Sequence, residues 1–217
     1  MDTPKTTAWK SMRVEDLEVV DRYKLLTGLV VPRPIGWIGS RSADGQPNLA
    51  PFSFFNALGH HPPVVVFSVG VSPRVKDTAA NVAETGVFTV NIVTAETVEA
   101  MNASAEEFPP DIDEFEAAGL TAVPGTVVDA PMVAEATATL ECRLFDSIDL
   151  KPDGDEASYR VFFGRVEVFN VAERVLDGTR ILRDELQAIG RCRLWLCKHH
   201  RRLVRSRTSM NSTVSRR

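Results

Sequence analysis

The sequence predicts a mainly β chain, a β-barrel with added helices, and three observations point there. Residues 34–41, 48–56 and 64–69 are strand-like runs in close succession, the first two joined by Ser42-Ala43-Asp44-Gly45 and the last two by a short Pro-rich loop. Asp-Gly between apolar runs signals a hairpin, because glycine accepts the positive φ that such turns require. Residues 87–93 (VFTVNIV) alternate in the manner of a strand. Residues 134–150 and 159–173 then form two long strands around the turn Lys151-Pro152-Asp153-Gly154-Asp155. At about twice the usual 5–6 residues, they suit strands that bend around a closed barrel.

Length and composition bound the rest. The chain has 217 residues, room for one domain with a real core, whereas a second full domain would be cramped. Hydrophobic content of 44% and charged content of 25% fit a soluble globular protein. No apolar run approaches the roughly 20 residues of a membrane helix, and residues 1–12 lack the apolar core of a secretion signal. Cys142, Cys192 and Cys197 are an odd, scattered set without the pairing of a disulfide framework or zinc site. Cys142 reads as a small buried hydrophobe rather than a reactive thiol, and a reducing cytoplasm is the expected location. All 29 acidic residues lie at or before Glu185, while nine Lys or Arg follow from Arg191 onward. The body is thus strongly acidic, which argues against a nucleic-acid surface, and the tail is basic.

In chain order, residues 1–20 read as a loosely attached arm with Leu17, Val19 and Val20 as docking points. Residues 21–28 (DRYKLLTG) offer an Asp cap, a short helical run and a Gly stop. After the three strands, Ser72-Pro73-Arg74-Val75-Lys76-Asp77-Thr78 leads into a helix that ends at Gly86, with Asp77 as N-cap and Gly86 as C-cap. A helix start flanked by Arg74, Lys76 and the Thr78 hydroxyl is competent to bind phosphate, since free N–H groups and the helix dipole both favour an anion. The same pattern also describes a capped helix with two solvated cations. Residues 96–105 and 111–119 are helices by apolar spacing, and the acidic EEFPPDIDEFE around the gap reads as a solvated face. Residues 121–131 form a Val-, Gly- and Pro-rich connection, and residues 180–187 a final short helix.

Hydrolytic and metal chemistries lack their signatures. His60-His61 and His199-His200 are adjacent pairs, whose side chains diverge on a strand. No GxSxG, HExxH, Walker loop or GxGxxG occurs. The middle run of the opening strands is unusual, however. It carries Asn48, Pro51, Ser53 and Asn56 among apolar residues, and a strand kept only for packing hardly needs a proline that cannot donate to the ladder. A polar strand face, small residues allowing close approach and an adjacent phosphate pocket suit a phosphorylated planar cofactor that carries the reaction itself.

The runs RPIGWIGSRSADGQPNLAPFSFFN, PPVVVFSV and KDTAANVAETGVFTVNIV, with ECRL near Cys142, resemble the flavin reductase-like, FMN-binding split-barrel family over roughly residues 20–190. The resemblance implies a six-stranded antiparallel Greek-key barrel with added helices, and a homodimer holding FMN near the subunit interface. It assigns flavin contacts to Asn48, Ala50, Pro51, Phe52 and Ser53, with backbone amides at such positions reaching the ring edge. It adds Trp37 and Ser40 from the preceding strand, Trp37 being alternatively core, and gives the ribityl phosphate to Arg74, Lys76, Asp77 and Thr78. The implied reaction is hydride transfer from NAD(P)H to flavin, with electrons passed to a partner such as a monooxygenase. The alternative is a non-catalytic flavin-binding or electron-carrier protein of the same fold.

The chain therefore divides into an arm (1–20), a flavin reductase-like domain (21–190) and an atypical tail (191–217). After Gly190-Arg191 the family continues with Gly, Tyr and an acidic-aromatic strand, whereas here CRLWLCKHHRRLVRSRTSMNSTVSRR contains no acid. Codons exist for residues 192–205 that, shifted by one base, encode Ala-Gly-Tyr-Gly-Tyr-Val-Asn-Thr-Thr-Asp-Gly-Ser-Phe-Glu, an ending of the family's kind. A frameshift is thus one origin for the tail. A basic nucleic-acid- or membrane-binding extension, or a disordered appendage with Leu194, Trp195, Leu196 and Leu203 as docking points, are the others. A basic run without a groove-binding motif is weak evidence for specific nucleic-acid recognition, and none is expected.

Overall fold

The computed structural model describes residues 7–71, 74–106, 108–109, 112–152, 157–192, 195–198 and 201–205, the last two segments as backbone. The elements in order are α1 (Val19–Leu29), β1 (Arg33–Pro34), β2 (Gly36–Arg41), β3 (Pro47–Phe52), β4 (Phe55–His60), β5 (Pro63–Gly70), α2 (Asp77–Thr85) and β6 (Val87–Ile92). They continue with α3 (Val98–Ala103), α4 (Glu114–Ala117), β7 (Ala122–Pro124), β8 (Pro131–Val133), β9 (Ala138–Leu150) and β10 (Tyr159–Val171). Last come β11 (Leu176–Asp177), β12 (Arg180–Ile181), α5 (Arg183–Leu186), β13 (Gly190–Cys192), β14 (Trp195–Lys198) and β15 (Arg201–Arg205).

The fold is mainly β. Its principal sheet runs β3-β2-β6-β9-β10-β5-β4, seven strands rather than the expected six, and every neighbouring pair is antiparallel. The extra strand comes from the run 48–56, which breaks at Ser53-Phe54 into β3 on β2 and β4 on β5. These are the two edges of the sheet. Two residues span only about 10 Å, so the sheet must curl until its edges approach one another. The break thus makes the barrel-like closure, and among the described residues it leaves the outer edge of β3 free of a strand partner.

Alternating side chains fill two cores. Ile38, Phe67, Phe88 and Phe162 pack inside the sheet with Ala79 and Val82 of α2, and the Phe67 ring lies 5.2 Å from those of Phe88 and Phe162. Ile35, Trp37 and Leu49 face the other way, under Met101 and Phe115 of α3 and α4. Gly39 is required where the Pro131 carbonyl crosses β2, since a Cβ would overlap that oxygen. Glu141 of β9 is wholly buried. It accepts hydrogen bonds from the Thr126 hydroxyl, the N–H groups of Val127 (2.7 Å) and Val128 (3.0 Å), and Asn170 (2.8 Å), clamping the 125–130 connection to the sheet.

Several expected boundaries shift. The helix expected at 21–28 is α1, which starts at Val19 and runs through Gly28; the Arg33 guanidinium ends it by donating to the Thr27 and Val30 carbonyls at 2.8 and 3.1 Å. The N-cap of α2 is Lys76 rather than Asp77, while Gly86 closes the helix in the left-handed region at φ 69°, as expected. The helix expected at 111–119 is the single turn α4, capped by Asp113. Within 180–187, Arg180 and Ile181 pair as β12 and only Arg183–Leu186 is helical. Cys142 is buried, and burial pushes its thiol far up, in keeping with an inert core residue. Cys192 is disulfide-bonded, which corrects the expectation of no disulfide.

The sheet β1-β13-β14-β15 takes in the backbone at 195–198 and 201–205. Residues 1–6, 72–73, 107, 110–111, 153–156, 193–194, 199–200 and 206–217, and the side chains of Trp195, Leu196 and Leu203, lie outside the description. Among the described residues no helix is long and apolar enough to cross a membrane, and no three His, Cys, Asp or Glu side chains could hold a metal ion.

Candidate functional site

The polar residues singled out in the sequence converge where β3 meets the start of α2. The Asn48 side-chain amide donates to the Ser40 hydroxyl at 3.1 Å and to the Thr78 hydroxyl at 2.9 Å. Asn81, one turn along α2, donates to the same Ser40 oxygen at 3.3 Å. All four side chains are buried. Thus β2, β3 and α2 are stitched together by side-chain amides and hydroxyls whose partners are one another. Ser40 and Thr78 act from within, holding the helix start against the strand.

The nine-residue α2 has no side-chain cap at its N-terminus, and the first N–H groups of a helix lack intrahelical acceptors. Arg74 and Lys76 are exposed at this end, Arg74 forming a loose ion pair with Asp77 at 3.7 Å. An uncapped helix start beside two cations is electropositive and shaped for an oxyanion.

The strand itself is asymmetric. Pro47 and Pro51 cannot donate, so the hydrogen-bonded pairs with β2 are those at Asn48, Ala50 and Phe52. The pairing thus turns the N–H groups of these three toward β2. Pro47, Leu49 and Pro51 turn their backbone outward. Leu49 has the single N–H among them, and it donates to the Glu114 carboxylate at 3.2 Å. What the outer edge offers is carbonyl oxygens, followed by the half-buried Ser53 at the bend. Ala50, Pro51, Phe52 and Ser53 are all half-buried, with Phe52 seated on Phe67 at 5.5 Å. Trp37 is not at this surface. It is wholly buried in the second core and its indole N–H donates to Ser104 at 2.9 Å, so of its two readings the structure takes the core.

Glu114 escaped the sequence reading, which placed it on a solvated face. Burial raises its carboxyl above the ordinary value, opposed by the Leu49 hydrogen bond and assisted by Asp113 and Asp77. That a helix lies in this stretch was legible; that it lies against β3 was not. Asn81 was missed for the same reason, since a helical Asn carries no mark of the hydroxyl it will meet.

The family model for the flavin reductase like domain matches residues 28–189. The chain belongs to that family. An uncharacterized protein of Aquifex aeolicus (strain VF5) is 41% identical over 172 residues, covering 78% of this chain and 85% of the relative. Among solved structures, nitrilotriacetate monooxygenase component B from Bacillus cereus superposes with a TM-score of 0.84 at 34% identity, covering 92% of this chain and 98% of the other. The 2-nitrobenzoate 2-nitroreductase NbaA of Pseudomonas fluorescens gives 0.79 at 31%, covering 90% and 94%. Membership of the flavin reductase-like family brings a flavin as the cofactor to be housed, and the residues fit one. The uncapped start of α2 suits a phosphate, and the half-buried 50–53 surface beside it suits a flat ring.

Proposed function

We propose that this flavin reductase-like chain binds FMN, takes hydride from NAD(P)H and delivers reducing equivalents to an acceptor, a monooxygenase component being the class of partner. The observation that carries the reading is the Asn48–Thr78 hydrogen bond of 2.9 Å, which joins the phosphate-competent start of α2 to the strand bearing the flat surface. An anchor and a platform held in fixed relation are what a phosphorylated planar cofactor needs.

In this reading the first-turn N–H groups of α2, with Lys76 and Arg74, hold the phosphate, and Thr78 fixes the helix start from within. Ala50, Pro51, Phe52 and Ser53 support the ring, and the outward carbonyls of β3 accept from its N–H edge. When bound, the flavin supplies the hydride acceptor. The protein's share is to place the nicotinamide against the ring and keep water away, with no side-chain acid or base required. The names of the two similar structures, a monooxygenase component and a nitroreductase, support an enzyme over a carrier.

We also propose a homodimer. Val19, Leu26 and Leu29 of α1 and Phe145, Ile148 and Leu150 of β9 are exposed, and Val19, Leu26 and Leu150 line one cleft, the kind of contiguous apolar surface that marks a contact site. The deciding measurement is the absorbance spectrum of the purified protein, followed by steady-state NAD(P)H oxidation with added FMN. Flavin bands with pyridine-nucleotide turnover support the reductase, and bound flavin without turnover supports the electron carrier. Absence of bound flavin at saturating FMN overturns both.

A further inference from the structure

We infer that Arg33 and Arg191 together form a second oxyanion-binding site, separate from the start of α2. Arg33 on β1 and Arg191 on β13 are directly opposed in an antiparallel pair, so their side chains leave the same side of the ladder. Both are buried, 4% and 9% exposed. Arg33 Nη1 caps α1, as described above, but its Nε has no partner. The Arg191 Nε is likewise buried without a partner, and no acidic side chain pairs with either guanidinium among the described residues.

Two like charges facing each other out of water are unfavourable unless something satisfies them. Burial is the main force pushing both guanidinium pKa values down, and Arg33 lowers Arg191 further. Arginine does not resolve such a conflict by losing its proton, since its pKa lies too far above neutrality. The remaining resolution is an anion. Two guanidinium groups on one side of the ladder, each with a buried unpartnered Nε–H, suit phosphate or carboxylate oxygens, which accept such N–H bonds. The surroundings agree: the Phe54 ring centroid is 6.0 Å from the Arg33 guanidinium carbon, and Tyr23 of α1 opposes the effect of burial on both arginines electrostatically. Phe54 follows the 50–53 surface, so this pair lies at the opposite end of β3 from the Asn48–Thr78 anchor. A phosphate-bearing co-substrate or a carboxylate ligand could supply the anion, and both share the chemistry stated.

The inference does not rest on the flavin reading, and the test keeps the two apart. Thermal unfolding of the FMN-saturated protein is followed with added phosphate against chloride at matched ionic strength, and with acetate as the carboxylate arm. The midpoint is expected to rise by roughly 3–6 °C at about ten times the dissociation constant, for whichever of phosphate or acetate the site prefers. Arg191→Gln is expected to abolish the rise, and Arg191→Lys, which keeps the charge but loses the fork, to weaken anion affinity by about tenfold or more. A parallel series on Arg74→Ala/Lys76→Ala without FMN is expected to keep the rise. No oxyanion-specific rise in the parent protein, an equal rise in Arg191→Gln, or loss of the rise in the Arg74/Lys76 variant would overturn the proposal.

Discussion

Asn48 and Thr78 are thirty residues apart in the chain and share a buried hydrogen bond of 2.9 Å, which fixes the start of α2 against β3. Asn48→Ala removes the donor that two buried hydroxyls rely on. We expect a stability loss of about 1–3 kcal/mol, read as a lower urea midpoint. FMN affinity, read by fluorescence titration, should fall more than stability alone requires, because anchor and platform are no longer held in register.

Removing the cations at the same helix start separates phosphate from ring. Lys76→Ala and Arg74→Ala should each weaken FMN binding by roughly tenfold and leave riboflavin, which lacks the phosphate, unaffected. Equal losses for both ligands would place the phosphate elsewhere.

Glu114 gives a pH dependence of defined sign. Its carboxyl is raised by burial above the ordinary 4.5, so the folded state prefers it protonated. The resulting stability is fully present below the ordinary value and is lost as pH rises through the raised one. Glu114→Gln, which keeps an acceptor for the Leu49 N–H, should flatten that part of the pH–stability profile. An unchanged profile would assign it to another group.

Glu141 has the opposite sign. Burial alone would push its carboxyl up, but the hydrogen bonds from Thr126, Val127 and Asn170 outweigh it and hold the value at about 2. Its contribution is present above the ordinary carboxylate value and lost as pH falls toward about 2. Glu141→Gln should cost about 1.5–3 kcal/mol at neutral pH and make unfolding less sensitive to acid, checked by urea denaturation between neutral pH and acid.

The tail carries a prediction that needs no protein. If residues 192–217 arise from a frameshift, the coding DNA across Arg191 must contain the one-base-shifted frame encoding the Gly-, Tyr- and acid-containing ending. Codons that cannot give that frame exclude this origin. Restoring the frame should then raise flavin affinity relative to the present chain.

Much of this was written in the sequence. The alternation of residues 87–93, the hairpin around Gly45, the two long strands and the Gly86 stop are local patterns, and local sterics and periodicity determine them. The residues of β3 stood out because proline and asparagine are poor choices for a strand kept only for packing, and the start of α2 because cations and a hydroxyl flank a helix N-terminus. The tertiary structure decided what each of them faces. Whether 48–56 is one strand or two depends on which neighbours its halves find, and the bend at Ser53-Phe54 follows from pairing with β2 on one side and β5 on the other. Trp37 reads equally as ring contact or core until Ser104, 67 residues away, takes its indole N–H. Glu114 and the Arg33–Arg191 pair gain their meaning only from elements distant in the chain. Periodicity fixes which residues share a face, but charge and hydrogen bonding act through space, and only packing brings those partners together.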